Sequence, residues 1–326
     1  MACVGDGPRR LRGESLFLVT LLIGLMMLVA GAELVVRGGG QIALAMRVPA
    51  LIVGLTIVAF GTSAPELGVS ITAVFTASTD MAIANVIGSN IANIALVLGL
   101  AALVRPMAVD SRLVRREIPV LLLLQLMIPA FAWNGTIERH EGFLLLIVGV
   151  IYNLLLLFEA RKRRQRVLDE EDEVAPEDGL FAYYLFLLFG GIVIIIIGSV
   201  LFVEGAKDIA QLLGLSQRYV GLTVVALGTS APEVATSVVA SYRNQGDLAV
   251  GNALGSNILN ITMVLALTAM IQPIVMTTAD VNFDFGVALG VTVLLIPIVL
   301  RDRLLGRVEG VLLTIGYLVY VFSTPP

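Results

Sequence analysis

The chain has 326 residues, 58% of them apolar and only 14% charged, with a net charge of −4 and a mean hydropathy of +0.95. Soluble domains carry about 25% charged residues, so this surface must be covered by lipid, and a soluble fold or a nucleic-acid partner is excluded. The single cysteine, Cys3, excludes an internal disulfide.

A membrane helix needs about 20 mostly apolar residues. Ten such stretches follow in order: 15–36, 50–75, 81–104, 115–133, 142–160, 181–203, 217–241, 247–271, 281–300 and 306–322. Residues 1–14 are expected to be an extracellular stub. Its arginines (Arg9, Arg10, Arg12) look like the start of a signal peptide, but the repeat described next requires residues 15–36 as a helix. Glu33, Glu117 and Glu159 fall at span ends and are expected to be interface or salt-bridge groups, and His140 a solvated loop residue.

The second span contains GLTIVAFGTSAPE, Gly54 to Glu66, and the seventh GLTVVALGTSAPE, Gly221 to Glu233, with eleven of thirteen residues identical at a spacing of 167. The third and eighth spans carry NVIGSNIANI, Asn85 to Ile94, and NALGSNILNI, Asn252 to Ile261, seven of ten identical at the same spacing. An internal repeat fixes the architecture first. Five spans per half is an odd number, so the second copy lies upside down. The expected fold is an all-α membrane protein of ten transmembrane helices, in two inverted five-helix repeats over 15–160 and 181–326, joined by a linker at 161–180.

Charge sets the orientation. Fifteen of the twenty-one Lys and Arg residues lie in the odd-numbered loops, six in the even loops and termini. Basic loops stay in the cytoplasm, so both termini are expected outside a multi-pass cell-membrane protein, and the linker inside. That linker turns from basic to acidic and reads as a solvated connection.

Glu66 and Glu233 lie in mid-span, where an acidic residue costs about 2.5–3.5 kcal/mol and is a functional hypothesis by default. Neither span places Lys or Arg near its Glu. Pro65 and Pro232 lack an N–H and free the carbonyls of Gly61 and Gly228. Thr62 and Ser63 share a helix face with Glu66, as Thr229 and Ser230 do with Glu233. Asn85, Ser89 and Asn93 form a polar stripe repeated as Asn252, Ser256 and Asn260. This all-oxygen set suits Ca²⁺ or Na⁺ and offers no His or Cys to a transition metal. Ser70, Ser237, Ser241 and Thr262 fit ordinary helix packing.

The doubled GTSAPE and GSN-x-x-N motifs resemble the two alpha-repeats of the cation/calcium exchanger superfamily, of the prokaryotic sodium/calcium exchanger type, over essentially the whole chain. The resemblance implies ion sites where spans 2, 3, 7 and 8 meet. Its ligands fall on Thr62, Ser63, Glu66, Ser89, Asn93, Thr229, Ser230, Glu233, Ser256 and Asn260, with backbone carbonyls at Ala59 and Ala226. Many such exchangers carry Asp in one GSN-x-x-N motif, whereas both positions here are Asn. The proton/calcium branch usually has Glu where this chain has Ser89 and Ser256. The implied function is secondary antiport of Ca²⁺ outward against Na⁺ by alternating access, with no cofactor and no obligate protein partner. Proton coupling, potassium co-transport and a gated cation channel stay open as alternatives. An intramembrane enzyme does not fit, since Ser63 and Ser230 lack a GxSxG setting.

Overall fold

The protein is described here by a computed structural model covering residues 7–76, 79–110, 113–170, 178–212, 226–276 and 278–323. It is mostly helical. The helices are α1 (Gly7–Ala45), α2 (Ala50–Thr62), α3 (Ala64–Phe75), α4 (Met81–Val104), α5 (Arg115–Asn134), α6 (Arg139–Glu170), α7 (Asp178–Leu212), α8 (Ala226–Thr229), α9 (Ala231–Tyr242), α10 (Gly246–Ile271), α11 (Thr278–Asp302) and α12 (Arg307–Ser323). Seven of these helices are long and apolar enough to cross a membrane, and the bent pair α2–α3 makes an eighth span. α12, at 17 residues, is about 26 Å long at 1.5 Å per residue. Residues 217–225 of the expected seventh span lie outside the described residues.

The helices run past three of the expected span ends. α1 does not end at 36 but runs to Ala45, and stops there because Arg47 turns left-handed (φ 52°) just before Pro49. The expected stub is helical from Gly7. The linker expected from 161 continues α6 to Glu170, because Arg161 to Glu170 is made largely of good helix formers. His140 sits exposed in the first turn of α6 rather than in a loop.

The lipid-covered surface is apparent in the side chains. Leu18, Leu22, Met26, Phe143, Leu154, Phe158, Phe186 and Phe189 are all exposed along long helices. α4 and α10 differ, with 78% of their central windows buried against a third or less in the other long spans. They are the inner helices. Glycine lets α2 cross α10 at backbone contact. A Cβ on Gly251 would fall 2.5 Å from the Leu51 carbonyl, and one on Gly255 2.7 Å from Leu55 Cα.

The largest interface joins α1 to α7. Glycines recur every seven residues on both helices, at 24, 31 and 38 and at 191, 198 and 205, and the two sets are themselves 167 apart. Gly24 meets Gly198 and Phe202, Gly31 meets Gly191 and Ile195, and Gly38 meets Tyr184 and Leu188. The pairing runs in opposite directions, so these repeat-related helices pack antiparallel. Short strands link the halves in the same fashion. β1 (Met107–Ala108) pairs with β4 (Leu304–Leu305), and β2 (Thr136–Ile137) with β3 (Ile274–Val275), both antiparallel.

Span-end carboxylates are held by neighbours. Arg116 binds Glu117 at 2.7 Å and also Glu159, while the Tyr152 hydroxyl donates to Glu117. Arg243 grips Glu33 with two bonds of 2.6 and 2.9 Å, and Arg37 adds a third at 2.7 Å. In the second half Tyr320 donates to Asp284 at 2.9 Å.

The glycine seam makes a direct prediction. A Cβ on Gly31 would lie 2.7 Å from Ile195 Cγ1 and 2.8 Å from the Gly191 carbonyl, whereas one on Gly190 meets nothing within 4 Å. Gly31→Val is expected to cost about 1–3 kcal/mol by overpacking and Gly190→Ala much less, read as thermal melting of the purified protein in detergent.

Candidate cation site

The chain breaks at the same residue in both copies of GTSAPE. Ser63 has φ −82° and ψ 6°, and Ser230 has φ −84° and ψ 2°, outside the helical well. α2 and α3 consequently meet at 42°. Pro65 and Pro232 occupy the first turns of α3 and α9, where a missing N–H costs nothing. Glu66 and Glu233 are in those same first turns, so the positive end of each helix dipole partly offsets the carboxylate.

The sequence Ser-x-x-Glu at each break is that of a capping box, yet neither Ser63 nor Ser230 caps its helix. Ser63 instead reaches into the other half, its hydroxyl donating to Glu233 Oε1 at 3.3 Å. Ser256 donates to the same oxygen at 3.2 Å. Thr62 donates to Asn252 Oδ1 at 3.0 Å and lies 3.4 Å from Ser256 Oγ. Residues of both repeats thus converge on one locus.

What remains unsatisfied there is mostly oxygen. Glu66 and Glu233 are 0% exposed. Among the described residues, both oxygens of Glu66, Oε2 of Glu233, Ser230 Oγ, Asn260 Oδ1 and both amide atoms of Asn93 have no hydrogen-bond partner. A buried carboxylate without partner or counter-charge costs several kcal/mol, and buried polar groups are otherwise almost always satisfied. Carboxylate, hydroxyl and amide oxygens of this kind fit a hard cation. The described residues contain no group of three or more His, Cys, Asp or Glu, so two acids and several neutral oxygens compose the set.

The other expected ligands are also placed. Ser89 is buried on α4 and Thr229 on α8. The Ala59 carbonyl accepts the Ser63 N–H at 3.0 Å and the Thr62 hydroxyl at 3.4 Å. Ala226 begins α8, and its side chain lies outside the described set. Asn85 and Asn252 support the site: Asn85 donates to Ser70 at 2.9 Å and to the Glu66 backbone carbonyl at 3.1 Å, and Asn252 to Ser237 at 3.1 Å. Ser70 and Ser237, expected only to pack helices, are therefore partners of that support. Ser241 bonds the carbonyls of Ala101 and Arg105, and Thr262 that of Ile258, as helix-packing hydroxyls do.

Two features escaped the sequence. Asn90 and Asn257, central in the two GSN motifs, bind each other's backbone across the halves: Asn90 Nδ2 donates to the Asn257 carbonyl at 3.4 Å, and Asn257 Nδ2 to the Asn90 carbonyl at 3.0 Å. Their identity at a spacing of 167 was the available signal. Second, wide π turns occupy Gly54–Val58, Asn93–Val97 and Asn260–Leu265. Such turns concentrate at functional sites, and two of them begin at the candidate ligands Asn93 and Asn260.

Residues 16–158 and 183–324 match the family described as sodium/calcium exchanger protein, once in each half. The chain belongs to the sodium/calcium exchanger family. It is 35% identical over 306 residues to the inner membrane protein YrbG of Escherichia coli, covering 92% of this chain and 94% of that one. It is 31% identical over 336 residues to the sodium/calcium exchanger MaX1 of Methanosarcina acetivorans, covering 92% and 96%. Its fold superposes on the sodium-calcium exchanger NCX_Mj, from crystals soaked with 10 mM Na⁺ and 10 mM Sr²⁺, with a TM-score of 0.83 at 32% identity, over 95% of this chain and 99% of that one. The protein is thus a multi-pass membrane protein of an exchanger family, not of an enzyme family.

A cation seat of this kind is testable by linkage. At a hundred times its dissociation constant, Ca²⁺ is expected to stabilise the wild type by about 2.7 kcal/mol. Glu66→Gln removes one acidic ligand, so it should gain little or no stability from Ca²⁺, read as thermal melting with and without the ion.

Proposed function

We propose that the protein is a secondary antiporter that exports Ca²⁺ in exchange for Na⁺ by alternating access. The observation that carries this reading is the buried pair Glu66 and Glu233, with both oxygens of Glu66 and one of Glu233 unbonded among the described residues, set among hydroxyl and amide oxygens at the crossing of the two copies. Two carboxylates balance one Ca²⁺. The three Na⁺ usual for such exchangers would carry one excess positive charge inward, and each such charge gains about 2.3 kcal/mol across 100 mV. A negative interior then drives Ca²⁺ out. Ser89 and Ser256, in place of the Glu of proton-coupled relatives, favour sodium over protons.

Ten spans in two inverted halves is the architecture that goes with this function. The antiparallel packing of α1 on α7 and the crossed strand pairs support it. So does the mutual bonding of Asn90 and Asn257. The basic bias of the odd loops places both termini outside and the 161–180 linker in the cytoplasm. The halves are unequally covered. α1 packs along α9, whereas the equivalent α7 hardly touches α3. Accordingly Ala231 and Pro232 are buried, while Ala64 is exposed and Pro65 half-buried.

Proteoliposomes loaded with sodium should take up ⁴⁵Ca²⁺ down the sodium gradient. Glu233→Gln, well folded, should reduce that uptake to background. Uptake that follows an imposed pH gradient and ignores sodium would replace this reading with the proton-coupled one.

A further inference from the structure

The two halves place identical asparagines in identical motifs, yet the structure treats them differently. Asn260 Nδ2 donates to Asn90 Oδ1 at 3.1 Å. Among the described residues, its repeat mate Asn93 has no partner at either amide atom, and Asn257 Oδ1, the mate of Asn90 Oδ1, is likewise unpartnered. All four side chains are buried.

Asn90 is oriented without ambiguity. A backbone carbonyl only accepts, so the contact with the Asn257 carbonyl must use Asn90 Nδ2. Asn90 Oδ1 is then the atom facing Asn260, and it too can only accept. Asn260 must therefore present its NH₂ to Asn90, which leaves its own carbonyl oxygen on the other edge of the planar amide. That oxygen has no hydrogen-bond partner among the described residues. Asn260 opens the π turn Asn260–Leu265, which packs against α3, the helix that carries Glu66, and against α4.

We propose that Asn90 is a positioning residue for cation binding: by accepting from the Asn260 amide it fixes the Asn260 carbonyl oxygen as a ligand of the transported ion. An asparagine can present either oxygen or NH₂ to a cation, and only the oxygen coordinates. Without Asn90 the amide is free to turn, and half of its orientations point a donor at a positive charge. The proposal rests on the antiport reading for the identity of the ion. It assigns to Asn90 a role that Asn257 lacks, although both make the same backbone bond across the halves.

The test measures sodium-driven ⁴⁵Ca²⁺ uptake in proteoliposomes for wild type, Asn90→Ala, Asn257→Ala, Asn260→Asp and the double variant Asn90→Ala with Asn260→Asp. Loss of a partner that orients a metal ligand typically costs 10–100-fold in affinity, so Asn90→Ala is expected to raise the Ca²⁺ KM at least about tenfold with little change in maximal rate. Asn257→Ala, which removes only the backbone bond, should leave KM near the wild-type value. Aspartate presents an oxygen whichever way it turns, so Asn90→Ala should have almost no effect on KM in the Asn260→Asp background. Equal penalties from Asn90→Ala and Asn257→Ala, or an undiminished penalty in the Asn260→Asp background, would overturn the proposal. Asn90→Ser, a smaller change that still withdraws the carbonyl, carries the same comparison if the alanine variant does not fold. Calcium-induced thermal stabilisation of the same purified proteins repeats it without transport. A wild type that binds Ca²⁺ but shows no sodium-driven uptake would therefore sink the antiport reading and still decide the role of Asn90.

Discussion

Glu66 and Glu233 are acidic groups at the centre of a lipid-embedded bundle, fully buried and without a basic partner among the described residues. Nothing in an apolar helix bundle requires them, and each costs several kcal/mol to hold there without compensation. The surrounding structure is arranged around that cost. Both helices break one turn before the carboxylate, so helix dipoles point at it. Neither serine caps its helix, and Ser63 is turned across the interface to Glu233 instead. Glycines at 54, 251 and 255 bring α2 against α10 at backbone contact, which places the hydroxyls of one repeat within reach of the acid of the other. By contrast, the span-end acids Glu33, Glu117 and Glu159 have arginines beside them.

The two copies of the device are not treated alike in this structure. The long helices α1 and α7 cross antiparallel on a seam of seven-spaced glycines. With no side chains to interlock at those points, the pair can lean towards either half. Here α1 leans on α9, and the Arg243–Glu33 ion pair joins the two. The equivalent positions in the other half, 76 and 200, are Thr and Val and cannot form that pair. The inequality seen at the surface recurs at the centre, where Asn260 is tied to Asn90 and Asn93 is not tied to Asn257.

Much of this was readable in the chain because membrane insertion penalises every polar residue. A mid-span Glu flanked by Pro, Ser and Thr is conspicuous in apolar sequence, and its recurrence 167 residues later is more so. The same reasoning found the span-end salt bridges. The helix ends were harder: α1 runs nine residues past its expected end, through Gly38–Gly40, where burial of Ile42 and Ala43 outweighs poor helix propensity, and α6 runs ten past its own because good helix formers continue beyond the apolar stretch. The glycine seam was overlooked since a glycine on a lipid-buried helix carries no polarity, and only its seven-residue spacing marks it. The π turns leave no compositional trace at all. Asn90 and Asn257 were passed over because they sit beside the polar stripe rather than on it, and their partners are backbone atoms in the other half.

The central claim is that the unpartnered oxygens around Glu66 and Glu233 form one seat shared by Ca²⁺ and Na⁺ in turn. Calorimetric titration of the purified protein with Ca²⁺, in sodium-free buffer and then at rising sodium, tests it most directly. The account predicts one saturable Ca²⁺ site per chain whose apparent affinity falls steadily as sodium is added, and which is lost in Glu66→Gln. Absence of saturable binding, or Ca²⁺ binding that is indifferent to sodium, would contradict it.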